Sequence, residues 1–298
     1  MRFLFVDRIV ESSPGQVVRG IKHITPNDTY LTVDEQGRPC FIPSLIGETL
    51  GQLAAWNVMA LQEFAYRPVA GIVACAALHR PAYVGETLLL ESFIEHLDHS
   101  VMQYYSEARV GNERVFSLEG ALGPLLPMDD FIDLDEVKQQ FSEINRPGDW
   151  LAVSQKSAPI LNDDLIMSSE LPVVPMTFDR ICSSEPGVSL TAEKRISRAA
   201  LYFADHFPKK PVLPLTVLLE CKLNLAKEFI RRAGYPVDYK VSEFRKIKMK
   251  EFVYPGDILE CSVTVKKQTE DELILAYRSE VAGKRVCVVD VVLIPRGK

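Results

Sequence analysis

The stretch Asp205-His206-Phe207-Pro208-Lys209-Lys210-Pro211-Val212-Leu213-Pro214 sets an imidazole at the head of a proline-spaced loop. That loop runs straight into an apolar helical segment carrying Glu220, 14 residues after His206. An imidazole and a carboxyl facing one apolar slot can take a weakly acidic proton from one carbon and hand a proton to a poor leaving group on the next. Histidine in such a slot stays neutral near pH 7, because burial disfavours imidazolium. Backbone N–H groups at the start of the following helix would polarise a carbonyl and stabilise the enolate-like charge that develops on it. His23, His79, His96 and His99 have no comparable context and are expected to be surface or hydrogen-bonded residues.

The elements that position this loop occur twice. Phe5-Val6-Asp7-Arg8-Ile9 matches Thr177-Phe178-Asp179-Arg180-Ile181, Pro14-Gly15 matches Pro186-Gly187, and Lys22 and Ile24 match Lys194 and Ile196, all at an offset of 172. The same offset carries Pro39 to Pro211 and Glu48 to Glu220; with a slip of one residue, Gly85 falls on Gly256 and Val115 on Val286. A repeat of this length is a duplicated fold. Each copy reads as two strand-like runs, a proline-containing loop, one long helix and three or four alternating strands. The helices are predicted over 45–61 and 217–230, the first apolar on nearly every side and therefore buried. Thr87–Phe93 and Ile258–Val265 are strand-like, each after a turn, Tyr83-Val84-Gly85-Glu86 and Tyr254-Pro255-Gly256-Asp257. The implied unit is one buried helix wrapped by an antiparallel sheet.

His-Phe-Pro-x-x-Pro-x-x-Pro with a carboxylate 14 residues after the histidine resembles the β-hydroxyacyl-(acyl carrier protein) dehydratases of bacterial fatty-acid synthesis. The Asp-Arg-Ile opening and the Tyr-Pro-Gly-Asp turn resemble that family too, so the likeness spans most of both copies. It implies an α+β class and a double hot-dog, in which two antiparallel sheets, each wrapped around a long central helix, pair as a pseudo-dimer. The domains are then 1–128, without the motif histidine, a linker at 129–172 with a short helix over 134–144, and 173–298, with the motif. In the family each site takes its histidine from one subunit and its carboxylate from the other. Here position 34, the repeat position of His206, is Asp34, so one site is expected to be dead, with Glu220 facing Asp34, and the live one pairs His206 with Glu48. Glu48 is followed at i+4 by Gln52, as in the family, whereas Glu220 is followed by Asn224. The catalytic candidates are His206, Glu48 and Glu220; the substrate-binding candidates are Gln52, Phe207, Pro211, Pro214, Leu215 and Ser44. The family's glycine before the histidine is Asp205 here, and its glycine after the last proline is Leu215, or Ser44 in the first copy.

The resemblance implies a lyase that removes water from a 3-hydroxyacyl thioester carried by acyl carrier protein or coenzyme A, in fatty-acid or polyketide-type lipid metabolism. The acyl chain would lie between the two helices, and no metal or organic cofactor is needed. Two other readings compete: an acyl-thioesterase, against which the His-Phe-Pro motif weighs, and a non-catalytic acyl-binding or scaffold protein, for which the lost histidine and glycines speak.

Composition fits this frame and excludes others. With 298 residues, 47% hydrophobic and 25% charged, the chain can bury two cores and is neither disordered nor fibrous. Six cysteines lie far apart and mostly in apolar runs, which predicts buried free thiols rather than a zinc site. The opening apolar run meets Asp7 too early for a signal peptide, and no run is long enough to span a membrane, so a cytoplasmic location is expected. Residues 1–150 carry a net charge of −10 and residues 151–298 one of +4, which return the overall −6. The basic excess suits an anionic partner but is too small for nucleic acid. Lys240, Arg245, Lys246, Lys248 and Lys250 fall in one strand-like run, and the alternation from Lys246 places three lysines on one face, either a solvated face or a docking patch for acidic carrier protein or coenzyme A phosphates. Higher oligomers are left open.

Overall fold

A computed structural model of the chain describes residues 3–160 and 174–296. In chain order, β1 (Arg8–Ser13), β2 (Val17–His23), β3 (Leu31–Val33) and β4 (Pro39–Phe41) lead into helix α1 (Pro43–Leu61). Then follow β5 (Tyr66–Pro68), β6 (Ile72–Leu78), β7 (Thr87–Leu97), β8 (Val101–Val110) and β9 (Glu113–Pro127). Helices α2 (Leu134–Ile144) and α3 (Trp150–Ser154) lie between this half and the next. That half contains β10 (Arg180–Glu185), β11 (Ser189–Arg195), helix α4 (Leu215–Ala233), β12 (Tyr239–Met249), β13 (Ile258–Gln268), β14 (Leu273–Val281) and β15 (Lys284–Pro295).

The repeat is reproduced residue by residue. Helices α1 and α4 begin and end 172 positions apart. In β1·β2, Arg8 opposes Ile21 and the register slips between Ile9 and Glu11; in β10·β11, Arg180 opposes Glu193 and the slip lies between Ile181 and Ser183. Asp7 accepts the His23 N–H at 2.6 Å, and Asp179 accepts the Arg195 N–H at 2.5 Å. Gly85 and Gly256 both turn the chain at positive φ, 95° and 99°, which a side chain would strain. Since side chains alternate across a strand, keeping the bulge and register keeps the same face of each sheet against its helix.

The strands differ from expectation in one respect. Antiparallel pairing of β6 with β12, Phe244 opposite Ala76, joins the strands flanking the two helices into one continuous 13-stranded sheet rather than two separate ones. Its order is β1-β2-β7-β8-β9-β6-β12-β15-β14-β13-β11-β10, with β5 added on β9. Ala76 and Phe244 are both buried at this seam, so the apolar faces of the halves merge into one core, and α1 packs against α4.

Each helix starts where the proline loop forces it. Pro43 opens α1, where its missing N–H costs nothing, and Pro214 caps α4. Gly234 ends α4 in the left-handed conformation, φ 62°, behind Arg231 and Arg232 in the last turn. Both helices begin two residues earlier than their apolar periodicity predicts, because Pro43, Ser44, Leu215 and Thr216 belong to the first turn. The stretch read as linker is largely built into the fold up to residue 154. Phe131, Ile132 and Val137 are buried, Phe141 packs edge-on to Phe64, and only its last part, with the first residue of the second domain, lies outside the described residues. All six cysteines are free; four are buried and Cys75 partly so, but Cys182 is exposed on the terminal strand β10. No helix among the described residues is long and apolar enough to cross a membrane.

Candidate active site

His206 follows a short 3-10 turn, Leu201–Ala204, and its N–H donates to the Tyr202 carbonyl at 2.9 Å. The loop then folds back so that the Val212 N–H donates to the His206 carbonyl, 3.1 Å, while the Val212 carbonyl receives Nδ1 of the ring at 3.0 Å. A carbonyl only accepts, so Nδ1 holds the proton in the neutral ring and Nε2 carries the lone pair. Burial lowers the pKa of His206; the neighbouring Glu48 charge and the Val212 carbonyl oppose this without cancelling it. The ring stacks on Phe207, 4.0 Å between centroids, and meets Phe3 edge-on. Phe207 in turn rests on Phe131, and the Lys209 N–H donates to the Phe131 carbonyl, so the segment between the halves braces the loop.

The carboxyl opposite comes from the other half. Glu48 and His206 line the same cavity. Glu48 Oε2 accepts from the Thr216 hydroxyl on α4 at 2.7 Å, and Oε1 from the Gln52 amide at 3.1 Å. Gln52 is itself clamped by the Phe5 N–H, 2.9 Å, and the Phe3 carbonyl, 3.1 Å. From this polar end the cavity extends beneath α1, where Trp56, Met59, Met102, Phe116, Leu118 and Phe244 supply an apolar wall. The slot therefore lies mainly between α1 and the sheet, with α4 contributing Leu215, Thr216 and Leu219.

The sequence-derived candidates divide accordingly. Gln52, Phe207, Leu215 and Ser44 line the cavity; Pro211, Pro214 and Glu220 do not. Pro211 and Pro214 shape the backbone around His206 and the start of α4. Glu220 is buried, and its Oε2 accepts from the Ser44 hydroxyl at 2.8 Å and the Ser44 N–H at 3.3 Å. Burial pushes the Glu220 carboxyl up, with the Ser44 hydroxyl opposing.

Asp34, expected to face Glu220, turns instead to Arg38, whose N–H and Nε both lie 2.8 Å away, and to the Tyr83 hydroxyl at 3.0 Å. Burial acts to raise its pKa, but these donors outweigh it and hold the carboxyl below its usual range. A carboxylate so saturated with donors is a structural anchor rather than a base. Ser44 also needs reassignment. It follows the last proline of its copy, as Leu215 does, but the helix starts pair Pro43 with Leu215 and so Ser44 with Thr216. The two hydroxyls do one job twice, each reaching across to the carboxyl of the opposite helix.

Thr216, Arg67 and Tyr104 are polar cavity residues that lay outside the sequence reading. Thr216 had a signal, a hydroxyl four residues before the helix carboxylate in both copies. Arg67 and Tyr104 had none, since they enter from β5 and β8. Burial, with the Glu48 charge, raises the Tyr104 phenol.

This arrangement of helices and sheet recurs in solved structures at sequence identities that bear on the fold alone. An oleoyl thioesterase from Lactobacillus plantarum superposes with TM-score 0.58 at 10% identity, over 96% of this chain and 100% of its own. The dehydratase domain of PpsC from Mycobacterium tuberculosis, solved with C12:1-CoA, superposes with TM-score 0.54 at 13% identity, over 97% and 98%. A MaoC-like dehydratase gives 0.53 at 12%. The fold is the hot-dog.

Sequence relatives narrow the class. The ApeI-like family model, described as ApeI dehydratase, matches residues 183–289. The 3-hydroxyacyl-(acyl-carrier-protein) dehydratase FabZ of Wolbachia pipientis subsp. Culex pipiens is 32% identical over 114 residues, 38% of this chain and 80% of that protein. The same enzyme from Anaeromyxobacter sp. is 32% identical over 126 residues, 40% and 79%. The chain belongs to the FabZ-like family of hot-dog dehydratases.

Proposed function

We propose that the chain dehydrates 3-hydroxyacyl thioesters, and hydrates the enoyl products in reverse, at one site built between two hot-dog units of the same polypeptide. The units are 1–128 and 173–298, joined by 129–172, and they pair as the two subunits of a dimer would. The observation that carries this reading is that His206 of one half and Glu48 of the other line a single apolar cavity, with Nδ1 of the imidazole committed to the Val212 carbonyl.

In dehydration, neutral His206 takes a proton from C2 through Nε2, the C2 electrons form the double bond, and the Glu48 carboxyl protonates the hydroxyl leaving C3 as water. In hydration, the Glu48 carboxylate takes a proton from water attacking C3 while imidazolium returns one to C2. Either direction leaves one proton on the pair, which must pass between its members before the next turnover. Thr216 and Gln52 aim the carboxyl. The apolar wall along α1 takes the acyl chain, in lipid metabolism of the fatty-acid or polyketide type. Glu220, held by Ser44 outside the cavity, has no part in the chemistry.

The thioester would arrive on acyl carrier protein or coenzyme A. Lys246 and Lys248, with Lys266 and Arg278, line a depression on the sheet. This is a basic surface of the kind an acidic carrier or coenzyme A phosphates would use, although the bulge between Arg245 and Lys248 breaks the strict alternation and Lys250 falls beyond the strand.

Incubating the protein with enoyl and 3-hydroxyacyl thioesters of several lengths, while following enoyl absorbance and free thiol together, tests the reading. Reversible interconversion without thiol release is expected. Thiol release would make the protein a thioesterase, and tight binding with neither reaction would make it an acyl-binding scaffold.

A further inference from the structure

The cavity holds a cation that the acid–base pair does not account for. Arg67, in the short strand β5, lines it together with His206 and Glu48. The guanidinium carbon lies over the Phe207 ring, 4.2 Å from its centroid, and Phe207 directly follows His206 in the chain. The base and the guanidinium therefore share one aromatic support.

A cation–π contact of this kind spends no conventional hydrogen bond, so the N–H donors at the edge of the guanidinium stay available. Among the described residues, no carboxylate lies within ion-pair distance of Arg67, and its side chain donates no hydrogen bond to protein. Glu48 is near enough to raise the pKa of Arg67, but its oxygens are taken by Thr216 and Gln52. Burial brings Arg67 down to about 10, which leaves it charged at neutral pH. Arg67 is only partly buried, so donors with no protein partner are open to an oxygen that enters the cavity.

We infer that Arg67 is a further catalytic residue, whose free edge receives the thioester carbonyl oxygen and stabilises the negative charge that reaches it as His206 removes the C2 proton. This rests on the dehydratase reading and adds a role to it. An oxygen gaining charge in a low-dielectric slot is where a preorganised paired donor helps most, and the bond strengthens between ground and transition state. The interaction also explains why Arg67 stands off from Glu48, because a closed ion pair between them would fill the space the substrate must enter. The cation acts on the base too, since it lowers the pKa of His206.

Arg67→Met and Arg67→Lys in the full chain, assayed by 3-hydroxyacyl-thioester dehydration across pH, test this. Losing one such donor is expected to lower kcat by ~10²–10³-fold with little change in KM, and the lysine variant should retain more activity than the methionine one. The acidic limb of kcat/KM should move to higher pH in Arg67→Met, because His206 protonates more readily once the neighbouring charge is gone. Melting temperature should stay near that of the wild type. A wild-type kcat in Arg67→Met, a rise confined to KM, or lost activity with a lowered melting temperature and an unmoved limb would each overturn the role. Absence of both dehydration and hydration by the wild-type protein would overturn the dehydratase reading itself, and the role of Arg67 with it.

Discussion

His206→Ala is expected to lose ~10²–10⁴-fold in enoyl-thioester hydration, the usual contribution of a positioned acid–base group, while the protein stays folded. The ring is held by one bond to Val212 and by aromatic neighbours, and the loop also keeps its backbone bonds to Tyr202 and Val212, so removing the ring opens the slot without unfastening it. The same residue sets the pH profile. In the dehydration direction only neutral imidazole can accept the C2 proton, and burial lowers its pKa from the usual 6.5. Most His206 therefore remains neutral at pH 6.5, where a free imidazole would be half protonated. The acidic limb of kcat/KM for 3-hydroxyacyl-thioester dehydration should have its midpoint under 6.5; a midpoint above that value would mean that Glu48, not burial, governs the base.

The two helix carboxylates should separate just as sharply. Glu48→Gln keeps the shape and can still accept from Thr216 and Gln52, but it can neither give nor take the proton at C3, and ~10²–10⁴-fold of activity should go with it. Glu220→Gln should stay within a few fold of wild type. The residue occupies the same position in its helix, yet its carboxyl is buried against Ser44 and outside the cavity. Steady-state hydration by both variants, beside melting temperatures to confirm folding, decides the matter. Equal loss in both would mean that the Asp34 side of the molecule also carries out chemistry.

Much of this was legible in the residues. The offset of 172 located both helices and the β1 and β10 hairpins, because a duplicated fold repeats bulges, turns and N-terminal prolines along with its apolar pattern. The missing histidine at Asp34 pointed to one altered site, and the Gln52 beside Glu48 marked the better carboxylate. What stayed hidden depends on contacts between segments far apart in the chain. Pairing of β6 with β12 merges the sheets through residues about 170 apart, a register that alternation within either strand does not encode. Asp34 is held by Arg38 of its own turn and by Tyr83, 49 residues further on, rather than by Glu220. Arg67 belongs to a three-residue strand without periodicity, and only its position over Phe207 makes it part of the site.

The claim beneath all of this is that one folded chain supplies both members of the pair, and co-expressing His206→Ala and Glu48→Gln under two different affinity tags tests it most directly. If the site closes within a single polypeptide, protein purified through both tags in succession is as inactive as either variant alone. Hydration restored in the doubly purified material would show that the imidazole and the carboxyl meet between separate chains, and would contradict the account.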